Sequence, residues 1–168
     1  MSGRARLCLL TAGLLLICQC ALAGALTEED LVWTLNGQRF RLGDGAETLV
    51  GAMREEFGEI TVTEAQSCMF AGLDREYDAG GAVAGTYPSG KNGAEALETV
   101  IVMDAGYPTE RGARVGMTRD EIVALYGNDY ILDYDTMIYE LYPGGPQLSF
   151  IFEGDSVSAW MLFRNTSV

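Results

Sequence analysis

Apolar residues recur along this chain with two different periods, and the change of period marks its elements. Leu49, Val50, Met53 and Phe57 fall at i, i+1, i+4 and i+8, with Glu47, Arg54, Glu55 and Glu56 around the rest, which predicts a helix over residues 46–57. Gly58 is placed to end it. A second helix is predicted behind Thr118, which serves as N-cap with Glu121 at the third helical position and Gly127 as the stop. Thr27 followed by Glu28, Glu29 and Asp30 reads as a capping box that opens only a short turn.

Elsewhere the period is two. Residues 31–35 and 38–42 flank Asn36-Gly37, a strong hairpin signal because both central residues must take positive φ. Short β-like runs follow at 60–63, 68–73, 82–87 and 97–103, and again at 138–142, 148–153 and 157–163, separated by Gly- and Pro-containing turns. If Leu148, Phe150 and Phe152 face the helix, then Ser149, Ile151 and Glu153 face away. On the neighbouring strand Tyr139 and Leu141 then go in, while Ile138, Glu140 and Tyr142 go out.

At an offset of 73 residues, Arg41-Leu42-Gly43 falls on Arg114-Val115-Gly116 and Leu49-Val50 on Ile122-Val123. The expected fold class is therefore α+β, with two tandem repeats over 24–104 and 105–168. Each would be a helical element packed on an antiparallel β-meander.

The first residues have a different character. Arg4 and Arg6 precede an apolar run over 7–17, closed by Ala21-Leu22-Ala23, the pattern of a cleavable secretory signal. Eleven apolar residues are too few to cross the bilayer, which takes about 20 in a helix, so no transmembrane segment is expected. Lipidation at Cys18 or Cys20 is the rival reading, but Ile17 and Gln19 stand where a small residue is needed. The expected location is extracytoplasmic, secreted or associated with the cell envelope.

Cutting after Ala23 leaves 145 residues with one cysteine, Cys68, which rules out an intramolecular disulfide and reads as a small buried hydrophobe on a strand. Nine basic residues then face 24 acidic ones, a formal charge of −15. Nucleic acid is excluded as a partner by repulsion, whereas a basic protein surface is compatible. Histidine is absent, which removes imidazole-based catalysis and imidazole metal sites. Asp129, Asp133, Asp135 and Glu140 are the densest acidic group, yet they lack the spacing of a calcium loop and read as a solvated loop. No catalytic residues, metal or cofactor are expected.

Arg114-Val115-Gly116-Met117-Thr118-Arg119-Asp120-Glu121-Ile122 resembles the helix start of the BamE/SmpA-type envelope lipoproteins and of the β-lactamase-inhibitor proteins. The stretch Ser67-Cys68-Met69-Phe70-Ala71-Gly72-Leu73-Asp74-Arg75-Glu76-Tyr77, with Thr86-Tyr87-Pro88 after it, is similar to one common in secreted proteins of Gram-positive anaerobes. The resemblance implies helices packed on one face of antiparallel sheet, a role in holding other proteins, and structural duties for Gly116, Thr118 and Glu121. Unlike the inhibitors, this chain has no cysteine pair to staple its mature part.

The expected function is a non-enzymatic protein-binding or scaffolding domain, with self-association into an envelope structure as the alternative and inhibition of an extracellular enzyme behind it. Its expected contact surface is the outer sheet face: Glu140, Tyr142, Ile151 and Glu153, with Trp160 added if its register turns it outward.

Overall fold

The computed structural model describes residues 24–90 and 94–166. The signal sequence and the lipidation alternative lie outside the described residues. A single 3-10 turn, Glu28–Asp30, leads into β1 (Val32–Leu35) and β2 (Gln38–Arg41), which pair antiparallel from Val32↔Arg41 to Leu35↔Gln38. Their turn is the Asn36-Gly37 pair, with φ of 51° and 74°, as a tight hairpin with right-handed twist requires.

Helix α1 (Ala46–Phe57) follows, then β3 (Thr61–Gln66), β4 (Leu73–Asp78), β5 (Ala82–Pro88) and β6 (Glu95–Val102). After a long connection come α2 (Arg119–Tyr126), β7 (Ile131–Asp133), β8 (Thr136–Glu140), β9 (Gln147–Glu153) and β10 (Ser156–Phe163). The strands β3 to β10 form one antiparallel sheet in the order β3-β4-β5-β6-β10-β9-β8-β7.

This corrects the expected architecture of two tandem helix-on-meander repeats. The described residues form one eight-stranded antiparallel sheet with two helices and a separate two-stranded hairpin. The reason lies at the middle of the sheet, where β6 and β10 pair with Trp160 opposite Val102 and Leu162 opposite Val100, all four buried. Two separate meanders would leave these apolar strands as open edges, which costs both unmet backbone bonds and exposed apolar area. Trp33 and Leu35 of the hairpin, Leu49 and Met53 of α1, and Ile122 and Tyr126 of α2 all join the same core cluster over this seam.

Both helix starts are tied to central strands. The Gly43 N–H donates to Leu97 O at 2.7 Å, and the Gly116 N–H donates to Val157 O at 2.8 Å while Val157 N–H returns to Met117 O at 2.8 Å. Gly116 has φ 92°, a left-handed value that a side chain there would strain. Thr118 then caps α2: its Oγ1 accepts from Glu121 N–H at 3.4 Å, and Glu121 Oε2 accepts from Thr118 N–H at 2.8 Å, which holds the Glu121 carboxyl below its ordinary value.

Cys68 is also corrected. It is exposed, because residues 68–72 form a loop rather than a strand. Ser67 Oγ accepts from Phe70 N–H at 3.2 Å, and Ser67 N–H donates to Gly72 O at 3.0 Å, so local bonds close the loop before β4 begins.

Candidate partner-binding edge

The two terminal strands of the sheet, β3 and β7, have no neighbouring strand on their outer sides among the described residues. Strand β7 is the apolar one. Ile131 and Leu132 are 52% and 58% exposed, and Tyr134, at the tip of the β7–β8 hairpin, is 94% exposed with φ 50°. A bulky aromatic side chain at positive φ is an uncommon conformation, and here it holds a ring fully in solvent. Tyr142, just past β8, is 58% exposed on the same side of the molecule, where it and Ile131 line one hollow.

That hollow, about 260 Å³, lies between the end of β8 and the start of β7. Tyr130, Tyr139 and Tyr142 line it with the carboxylates of Asp129 and Glu140, and Ala25 and Leu26 close one side. The Tyr139 hydroxyl donates to Gly127 O at 2.9 Å, and its ring lies 5.8 Å from that of Tyr130 and 5.4 Å from that of Tyr126. Burial raises the pKa of both the Tyr139 and Tyr126 hydroxyls, that of Tyr126 to about 12, so both stay neutral donors. Asp129 and Glu140 have no ion pair among the described residues; Glu140 Oε1 accepts from Gly144 N–H at 3.2 Å.

Behind the hollow, one guanidinium fixes the start of the described chain. Arg111 pairs with Asp30 through Nε and Nη2, both at 2.7 Å, and donates to Gly24 O and Ala25 O at 2.9 Å each and to Leu125 O at 3.2 Å. All five of its N–H groups are thereby used. Its carbon also sits 4.8 Å from the Tyr126 ring centroid. Burial would raise the Asp30 pKa, but the hydrogen bonds from Arg111 and Thr27 hold it below its ordinary value, and Arg111 is raised in return.

Of the residues expected on a contact surface, Glu140 and Tyr142 meet at this hollow. Ile151 is half-buried on the outer face of β9, opposite Ala159 and Thr136, and Glu153 is exposed at the end of the same strand. Trp160 is corrected: it is fully buried on the helix side and donates Nε1–H to Tyr107 O at 2.9 Å, leaving nothing for a partner. Gly116, Thr118 and Glu121 build the start of α2, away from the hollow's lining. Sequence reasoning missed Ile131, Leu132 and Tyr134. The signal was present in the run Tyr130-Ile131-Leu132-Asp133-Tyr134, apolar residues set inside the acidic group taken for a solvated loop.

A second hollow, about 430 Å³, runs beside α1 and is lined by Glu47, Arg54, Tyr77 and Glu95, among others. Glu95 is already satisfied there by Tyr77 Oη at 2.8 Å, Thr86 Oγ1 at 3.0 Å and the Arg75 guanidinium. Among the described residues no three metal-ligating side chains converge, and no helix is long and apolar enough to cross a membrane. No protein family, curated protein or solved structure matches the chain.

Proposed function

We propose that this chain acts outside the cytoplasmic membrane as a non-enzymatic binding domain, and that it holds a protein partner along the β7 edge of its sheet. The observation that carries the reading is the composition of that edge: Ile131 and Leu132 stand in solvent on a terminal strand, with Tyr134 beyond them. Natural sheets usually blunt such edges with charge or proline, because an open apolar strand invites another chain to pair with it. An edge left apolar is suited to take a partner strand by backbone hydrogen bonding.

The resemblance of residues 114–122 to the helix start of envelope lipoproteins and inhibitor proteins supports the same class of role. Acidity argues for a basic partner over a second copy of this chain, since a symmetric antiparallel edge pair centred on Leu132 would set Asp129 of each copy opposite Asp135 of the other, with Asp133 close by. Capture from envelope extract with the purified chain, repeated with Leu132→Lys, tests the reading. The partner retained by the wild-type chain should be lost from the variant, with thermal stability unchanged because Leu132 is exposed. Equal retention by both would refute the edge.

A further inference from the structure

We propose that the tyrosine-lined hollow at the β7 edge is a pocket for one cationic side chain, a lysine or arginine carried by the partner strand. The inference rests on the edge reading and specifies what that edge recognises.

Three features of the hollow converge on an organic cation. Its open walls are aromatic: Tyr130 and Tyr142, 36% and 58% exposed, present ring surface whose faces carry negative quadrupole charge, with the buried Tyr139 ring packed behind Tyr130. Its rim holds two carboxylates, Asp129 and Glu140, that no basic side chain neutralises among the described residues. Its volume, about 260 Å³, falls below the roughly 300–1,000 Å³ of pockets built for drug-sized ligands and suits a single side chain. An anion would meet both the carboxylates and the ring faces and be repelled. A neutral aliphatic side chain would fill the space but gain nothing from the charge.

The adjoining tyrosine already shows this mode of binding inside the molecule. Tyr126, which also lines the hollow, carries the Arg111 guanidinium 4.8 Å from its ring centroid. That internal cation does not compete for the pocket, because Asp30 pairs with it through both carboxylate oxygens and three carbonyls take its remaining hydrogens. The pocket also sits where a ninth strand would deliver a side chain. β7 pairs with β8 only from Ile131↔Ile138 to Asp133↔Thr136, so the last residues of β8, Tyr139 and Glu140, have no β7 residue opposite them and border the hollow instead.

The test is an NMR titration of the purified protein with two uncharged-backbone probes, Nα-acetyl-lysine methylamide and its norleucine counterpart, which differ only in the ammonium group. The lysine probe should shift the ring signals of Tyr130, Tyr139 and Tyr142 in a saturable way and bind about tenfold tighter than the norleucine probe. The preference should shrink with added salt, and in Tyr142→Ala and in the conservative pair Asp129→Asn with Glu140→Gln. Equal affinity for the two probes, or no shift at those rings with either, overturns the cation pocket. A tetramethylammonium ion that binds more tightly than the lysine probe would overturn the assignment to a partner's side chain in favour of a free organic cation. The probes need no partner, so their failure is separate from failure of the edge, which shows only in partner capture.

Discussion

The sheet ends in two strands built by opposite rules. Strand β3 is the longer, Thr61–Gln66, and both of its faces are in solvent, yet its sequence is polar apart from Val62 and Ala65. Its neighbour β4 supplies Arg75, which pairs with Glu64 at 2.7 Å and also with Glu95, so the one charged side chain of β3 itself is matched internally. Strand β7 is only Ile131–Asp133, two of its three side chains, Ile131 and Leu132, are apolar where β3 is mostly polar, and the carboxylates next to it at Asp129 and Glu140 are unmatched. Length and exposure alone would name β3 as the open edge. Composition reverses that: matched charge closes a long edge, while unmatched acid beside exposed Ile131 and Leu132 leaves a short one open.

The two ends also differ in what supports them, and the largest predicted effect comes from there. The β7 side rests on the Arg111 clasp, in which a carboxylate with its side chain 5% exposed is paired bidentately. Arg111→Ala would strand that buried charge and should cost about 3 kcal/mol or more in urea unfolding. Arg75→Ala should cost less, because its partners Glu64 and Glu95 keep 49% and 16% of their side chains in water. The clasp also sets a pH dependence. The Asp30 carboxyl is depressed in the folded state, so its contribution is complete above the unfolded value of about 4 and is lost as pH falls through the folded value. The stability gap between the wild-type chain and Arg111→Ala should therefore narrow below about pH 4; a gap that stays constant into strong acid would contradict the role given to Asp30.

A smaller effect is expected at the start of α2, which carries Tyr126 beneath the hollow. Thr118→Ala removes the side-chain acceptor for Glu121 N–H and should destabilise the fold by about 1 kcal/mol. Partner binding per folded molecule should be unchanged. A loss of binding at full stability would move the site from the β7 edge to the helix start.

Much of the local structure was legible in the sequence, because it depends on neighbours in the chain. Helix α1 spans the residues its periodicity marks, Asn36-Gly37 makes the hairpin turn, and Thr118 with Glu121 makes a capping box. The global architecture was not legible. The pairing of Trp160 with Val102 joins residues 58 positions apart, and nothing local in either strand names the other as its partner. The same limit explains Trp160, whose face depends on register, and Cys68, where the hydroxyl of Ser67 draws the backbone into a loop that hydrophobic pattern alone reads as strand. At the candidate site Glu140 and Tyr142 were reachable by alternation along β8. Ile131 and Leu132 were not, because three residues are too short a run to display a period.

The contrast between the two edges is tested most directly by placing the same charge on each. Val62→Lys on β3 and Leu132→Lys on β7 both change an exposed apolar residue, 42% and 58% exposed, so neither should unfold the protein. Affinity for the captured partner, measured for both variants beside the wild-type chain, is predicted to fall at least about tenfold for Leu132→Lys, through loss of an apolar contact and a clash with a basic strand, and to stay unchanged for Val62→Lys. Loss of affinity in Val62→Lys with full binding by Leu132→Lys would contradict the account and place the partner on the opposite end of the sheet.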